Sequence, residues 1–167
     1  MSSEMKNDCC SEVTSSSSCP LCETTKQTVN AITLKHWLEA SLVPFVGEGP
    51  FYFCDSRDCA VVFFSGDHSI KYTKDQLRYR VASKENSGPS TVCYCFGVSK
   101  EMISEEILKT GKSTFLSWIG KEVKDGSCAC EVRNPAGKCC MGEIKKVEKD
   151  FLNKYDEKKN TFSKPVS

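Results

Sequence analysis

Twelve cysteines in a chain of 167 residues constrain the fold more than any other feature. Units below roughly 70 to 80 residues rarely gain enough stability from a hydrophobic core alone, and they recruit disulfides or metals. Ten of the cysteines fall into short-spaced groups, at Cys19 and Cys22, Cys54 and Cys59, Cys93 and Cys95, Cys128 and Cys130, and Cys139 and Cys140. The sequence therefore predicts small units organised around thiols.

The cysteines are expected to bind metals because the chain has the marks of a cytoplasmic protein. No run approaches the roughly 18 apolar residues of a membrane span, and the N-terminus lacks an apolar signal-peptide core. Disulfides do not persist in a reducing cytoplasm, so closely spaced cysteines there indicate metal ligands or redox thiols. The 23 basic and 22 acidic side chains are interspersed and give a net charge of +1, which argues against nucleic acid as a partner.

Composition divides the chain into four parts. Residues 1–18 are polar and end in a serine run, which predicts a disordered tail. The adjacent Cys9 and Cys10 in this tail are interpreted as an unstructured thiol pair, with transient metal capture as the alternative. A linker at Asn86-Ser87-Gly88-Pro89-Ser90 separates two predicted domains, residues 19–85 and 91–158, and residues 159–167 are expected to be frayed.

The first domain has the pattern of a zinc site. Cys19-Pro20-Leu21-Cys22 allows two thiolates to converge from one tight turn, and Cys54 and Cys59 flank a turn between two aromatic and β-branched strands. Two turns that each supply two thiolates form the arrangement of zinc-ribbon structural sites. The gap between Cys54 and Cys59 is wider than in a zinc knuckle, and His68 is the alternative ligand.

The second domain is predicted to be helical. Ser99 can cap a helix from Lys100 to Thr110 that ends at Gly111, and Ser113 can cap the next helix. A third helix is expected to start near Met141. The overall prediction is an α+β protein with a small zinc-ribbon-like β domain followed by a helical, helix-turn-helix domain.

The cysteines of the second half are predicted to hold a 2Fe-2S cluster, because four thiolates satisfy such a centre. Cys93 and Cys95 point from one turn toward the same metal pair, and Cys140 precedes a helix whose positive end favours an anionic cluster. Cys130 is chosen as the fourth ligand because it lies nearer the turn leading to Cys140. Cys128 and Cys139 are the alternates; if they are not ligands, they are interpreted either as thiols that are buried or lie beside the cluster ligands, or as thiols for metal exchange or copper handling.

These motifs together resemble the N-terminal portion of CopZ-type copper chaperones over roughly residues 19 to 150. The resemblance rests on Cys19-Pro20-Leu21-Cys22, Cys54 to Phe64, Val92-Cys93-Tyr94-Cys95-Phe96, and Gly126 to Cys140. It implies a mononuclear zinc and a 2Fe-2S cluster in a fold similar to bacterioferritin-associated ferredoxin, whose last ligand also directly precedes a helix. Full-length family members continue into a Cu(I)-binding domain, whereas here one helix and a tail follow Cys140.

The expected function is one-electron transfer or copper handling, as a redox partner or metallochaperone. The resemblance implies a copper-binding protein or copper transporter as partner, and a cluster associated with reducing Cu(II) to Cu(I). No catalytic histidine, carboxylate pair or phosphate-binding loop indicates an enzyme. The alternatives are a non-redox interaction module stapled by zinc, and a cluster-based redox sensor.

Overall fold

The computed structural model describes residues 16–163, and the chain divides into two compact units. Unit 1 comprises residues up to Gly88 together with Ala129–Cys139, and unit 2 comprises Pro89–Cys128 together with residues from Cys140 onward. The chain thus passes from unit 1 to unit 2 inside the predicted linker. The division into units differs from the predicted domains at residues 129–139, which were predicted in the second domain and belong to unit 1.

Unit 1 is built on an antiparallel sheet of five strands in chain order. The strands are β1 (Ser16–Ser18), β2 (Thr25–Val29), β3 (Phe51–Phe53), β4 (Val61–Ser65) and β5 (Lys71–Thr73). All five residues of β4 are buried, and Phe63 and Phe64 lie opposite Phe53 and Tyr52 of β3. This β3–β4 hairpin places Cys54 and Cys59 in the loop that joins its strands, as predicted.

A short helix, α1 (Ala31–Trp37), follows β2 and packs against α4 (Cys130–Arg133). The buried Thr33 hydroxyl donates to the Glu131 carbonyl oxygen at 2.5 Å, and the Asn30 side-chain amide donates to Glu131 Oε1 at 2.8 Å. These bonds satisfy polar groups that burial would otherwise leave without partners. Residues 129–139 therefore complete the packing around α1.

Single-turn 3₁₀ helices cover Val43–Phe45, Lys74–Gln76 and Ala82–Lys84. The described residues of the two predicted tails have regular structure. Ser16–Ser18, expected in the disordered tail, pair with β2 because their backbone groups extend the sheet. Residues 159–162, expected to be frayed, continue the helix that begins at Met141. Cys9, Cys10 and residues 164–167 lie outside the described residues.

Unit 2 consists of a β-hairpin and three helices. The hairpin strands are β6 (Thr91–Cys93) and β7 (Val98–Ser99), and the helices are α2 (Lys100–Thr110), α3 (Phe115–Lys124) and α5 (Met141–Phe162). Ser99 caps α2 as predicted by accepting a hydrogen bond from the Met102 amide, and Gly111 ends it with a φ of 75°. Among the helices of residues 16–163, none combines the length and the apolarity that a bilayer span requires.

The start of α3 is held differently from the prediction. Thr114, not Ser113, immediately precedes the helix. The buried Glu148 of α5 accepts hydrogen bonds from the Leu116 amide at 2.9 Å and from the Ser113 hydroxyl at 2.6 Å. A carboxylate from a distant helix thus satisfies an amide that has no partner within α3.

Candidate metal centre

Four thiols of unit 1 converge on one point. The Sγ atoms of Cys19, Cys22, Cys54 and Cys59 all lie within 4.8 Å of one another. Cys19 Sγ is 3.8 Å from Cys59 Sγ, and Cys22 Sγ is 3.7 Å from Cys54 Sγ. Each of the two turns therefore contributes two sulfurs, and the structure brings together the four cysteines singled out by the sequence.

Local backbone bonds shape the first turn. The Cys19 amide donates to the Thr24 carbonyl at 3.0 Å, and the Glu23 amide donates to the Cys19 carbonyl at 2.9 Å. Glu23 adopts a left-handed φ of 58°, which reverses the chain between Cys22 and β2. The turn thereby directs both thiols to the same side.

The second turn is the β3–β4 loop. The Cys54 amide donates to the Val62 carbonyl at 2.8 Å and so extends the ladder past β3, and the Cys59 amide donates to the Ser56 carbonyl at 3.2 Å. The longer spacing between Cys54 and Cys59 is thus taken up by a turn at Ser56. The wide gap does not prevent both thiols from reaching the same point.

The group is largely shielded from water. Cys19, Cys54 and Cys59 are buried, Cys22 is half-buried, and the stacked rings of Tyr52 and Phe64 pack against the thiols. A buried set of sulfurs with one partly open edge is typical of a closed structural site rather than a catalytic one.

The residues present fit a zinc ion. Four thiolates at about 2.3 Å from a tetrahedral Zn²⁺ would lie about 3.8 Å apart. The two sulfur pairs at 3.7 and 3.8 Å match this spacing. Four soft ligands in a compact group favour Zn²⁺ over Mg²⁺ or Ca²⁺, which prefer oxygen.

The pKa values of the thiols shift in opposite directions. Burial raises the pKa of the Cys54 thiol and raises that of Cys59 to about 12. Burial also opposes ionisation of Cys22, but hydrogen bonds with the Thr24 and Ser56 hydroxyls lower its pKa to about 5. Four adjacent thiols of this kind require a cation to be held together as thiolates.

Sequence reasoning missed two buried lysines beside the thiols. Lys26 Nζ donates to Asp55 Oδ1 at 2.5 Å and to Ser56 Oγ at 2.8 Å. Lys84 Nζ donates to the backbone carbonyls of Ser56, Cys59 and Val61. A lone lysine in a polar stretch gives no local signal of burial, because only the folded chain brings it to the loop.

His68 is not part of the four-thiol group. It occupies a left-handed turn position with a φ of 63°, and its ring packs at an edge against Phe64 with 5.8 Å between centroids. His68 is therefore a turn residue in this structure, and the four sulfur atoms of the cysteines form the group without it.

The cysteines of the second half differ in burial. Cys93 ends β6, Cys130 begins α4, and Cys140 immediately precedes α5; each is at most 3% exposed. Cys95 lies in the β6–β7 turn, and it is half-buried, as are Cys128 and Cys139. Cys130 and Cys139 belong to unit 1, and the other four belong to unit 2. The predicted helix start after Cys140 is confirmed.

Comparison with known proteins agrees with the geometry of the first site. Residues 16–78 match the CopZ zinc-binding domain family, a span that contains all four thiols. The crystal structure of the N-terminal domain of CopZ from Archaeoglobus fulgidus is 32% identical, with a TM-score of 0.65 over 78% of this chain and 96% of that one. This chain contains a CopZ-type zinc-binding domain. The CopZ-type domain corresponds to the sheet of unit 1.

The sequence similarity is not confined to the N-terminal domain of CopZ. The copper chaperone CopZ of Archaeoglobus fulgidus is 33% identical over 129 residues, which is 77% of this chain. The aligned part spans 60% of the relative's length. The similarity thus extends beyond the CopZ-type domain into unit 2, whose identity as a bacterioferritin-associated-ferredoxin-like domain stays a prediction.

Proposed function

We propose that this protein handles metal through two sites, a structural zinc in unit 1 and a redox-active 2Fe-2S cluster, and that it acts in copper handling. It would serve as an electron donor or metallochaperone rather than as an enzyme. The four-thiol group of unit 1 is the observation that carries the proposal, since its sulfur spacing is that of tetrahedral zinc.

The zinc is proposed to bind Cys19, Cys22, Cys54 and Cys59. Four thiolates leave no open coordination position, so the ion would stabilise the fold and would not bind substrate. The five-stranded sheet is small, and a metal that ties the β1–β2 turn to the β3–β4 loop would supply stability that its core lacks.

The cluster is proposed to bind Cys93, Cys95, Cys130 and Cys140. Burial of Cys93, Cys130 and Cys140 supports their choice over Cys128 and Cys139, which are half-buried. Cys140 lies at the N-terminus of the 22-residue α5, where the helix dipole and the first-turn amides favour an anionic centre. A 2Fe-2S cluster held by four cysteines supplies one-electron transfer.

Copper handling is inferred from the relative. The protein from Archaeoglobus fulgidus is named a copper chaperone, and its alignment covers 129 residues, or 77% of this chain. We therefore propose reduction of Cu(II) to Cu(I) by one electron from the protein, with a copper-binding protein or a copper transporter as the partner that receives the ion.

Anaerobic purification followed by elemental analysis tests the two sites. We expect one zinc, two iron and two labile sulfide per chain, and a visible spectrum that dithionite bleaches. Protein that contains zinc but neither iron nor sulfide would contradict the cluster and favour a zinc-stapled interaction module.

The same preparation tests the copper step. After dithionite reduction and removal of excess reductant, addition of Cu(II) with a Cu(I)-specific chelator should restore the visible spectrum. One Cu(I) should form for each electron lost. Cu(I) formation without spectral recovery, or recovery without Cu(I), would argue against the proposed reduction.

The choice of fourth cluster ligand makes a further prediction. Cys130→Ser should lose most of the iron and visible absorbance, since it removes a buried thiolate, whereas Cys128→Ser, the matched control two residues away, should retain them. Iron content and absorbance of both variants are the measurements. The reverse pattern would assign the ligand to Cys128.

A further inference from the structure

Lys84 is buried beneath the loop that carries two of the four thiols. It lies at the end of the 3₁₀ turn Ala82–Lys84 and is only 3% exposed. Its Nζ donates to the carbonyl oxygens of Ser56 at 2.7 Å, Cys59 at 3.0 Å and Val61 at 2.7 Å. An ammonium has three hydrogens, so this one loop satisfies all of them.

The contacts of Lys84 fix the shape of the loop. The three carbonyls span the turn at Ser56, the ligand Cys59 itself and the first residue of β4. Backbone that is held at these points cannot open without leaving a buried ammonium unsatisfied, which is costly. The position of the Cys59 thiol is therefore tied to the Lys84 side chain.

The positive charge of Lys84 can also offset the negative charge of a zinc ion bound by four thiolates. A zinc ion with four thiolates has a net charge of −2, and a nearby cation lowers the cost of burying it. Within residues 16–163, Lys84 forms no ion pair, whereas the neighbouring Lys26 is paired with Asp55. Lys84 thus remains available to offset the thiolates.

We propose that Lys84 is a positioning residue of the metal site, which holds the Cys54–Cys59 loop in its binding geometry, offsets the thiolate charge and so slows metal release. The proposal rests on the proposed binding of zinc by the four thiols. It assigns a role in metal retention to a residue outside the matched 16–78 span.

Release of zinc from the full chain to a chromophoric chelator tests the role of Lys84. Substitution of residues that hold metal ligands in place typically weakens metal binding about 10-fold to 100-fold, so Lys84→Met should release zinc about tenfold faster or more. Lys84→Arg, which keeps the charge and the donors, should restore much of the retention. Lys71→Met removes the same charge from an exposed position on β5 and should release zinc as the unmodified protein does.

Cobalt substitution separates positioning from a general loss of stability. Loss of the cation raises the energy of the sulfur lone pairs, so the sulfur-to-cobalt charge-transfer bands of Lys84→Met should move to longer wavelength. Lys84→Arg should bring them back. A merely structural role would leave these bands unmoved in any Lys84→Met protein that still binds cobalt.

The outcomes distinguish this inference from the proposed zinc site. An unmodified protein without zinc would overturn the zinc site, and the role of Lys84 with it. If that protein holds zinc, equal release rates and spectra for Lys84→Met overturn the role of Lys84 alone. If Lys84→Met cannot hold metal, retention by Lys84→Arg supports the role, and loss in both variants overturns it.

Discussion

Replacement of Cys54 by serine is expected to abolish zinc binding and to unfold unit 1. Cys54 is fully buried and its sulfur is 3.7 Å from that of Cys22. A structural zinc contributes about 10 to 16 kcal/mol of apparent binding free energy in small zinc domains, which is comparable to the entire stability of a typical domain, about 5 to 15 kcal/mol. Zinc content per chain and circular dichroism during thermal unfolding are the measurements.

Cys139→Ser is the matched control for this prediction. Cys139 also belongs to unit 1, is half-buried and is not one of the four converging thiols. This variant should keep one zinc and the unfolding transition of the unmodified protein. Retention of zinc by Cys54→Ser would remove Cys54 from the ligand set, and loss of zinc with an unchanged transition would show that the ion is not the source of stability.

Replacement of Cys93 by serine is expected to remove the visible absorbance while leaving one zinc per chain. Cys93 is fully buried at the end of β6, and serine offers a hard hydroxyl where the iron requires a soft thiolate. Iron and labile sulfide should fall together by about tenfold or more, in line with loss of a ligand to an iron-sulfur centre. Optical spectra and elemental analysis of anaerobically purified variants are the measurements.

The zinc content of the same variant is the internal control. Cys93 belongs to unit 2, whereas the four converging thiols all belong to unit 1. Loss of zinc together with iron would contradict the division into two sites. Unchanged absorbance would remove Cys93 from the proposed ligand set.

The convergence of the four thiols was predictable because the geometry of each turn is local. A two-residue spacing between Cys19 and Cys22 specifies a tight turn, and the runs of aromatic and β-branched residues on either side of Cys54 and Cys59 specify a hairpin. Both turns need only short-range backbone bonds, and these are present in the structure. The pairing of the two turns followed from the demand of a tetrahedral ion for four ligands.

The parts that were not predictable depend on contacts between distant segments. The burial of Lys26 and Lys84 requires the folded β3–β4 loop, and neither residue differs in the sequence from an exposed lysine. Glu148 likewise reaches the start of α3 from more than thirty residues away. A polar side chain whose partner lies far along the chain leaves no periodic or capping signal.

The placement of Thr33 shows the same limit. A threonine before an apolar stripe predicts an N-cap. In the structure Asn30 precedes α1, and Thr33 is buried in the helix because its hydroxyl has a carbonyl acceptor on Glu131. The N-cap pattern at Thr33 is misleading because the acceptor that decides its position lies 98 residues away along the chain.

The return of residues 129–139 to unit 1 has a consequence for synthesis on the ribosome. The four converging thiols are all available once residue 59 has emerged, so the β3–β4 loop and its metal can assemble early. The partners of α1, including the Glu131 carbonyl, emerge only after most of unit 2 has been made. After Gly88, the end of the first segment of unit 1, about 43 further residues must be made before Glu131 is available, which takes roughly 2 to 9 seconds at about 5 to 20 residues per second. During that time the side of α1 that packs against α4 is uncovered.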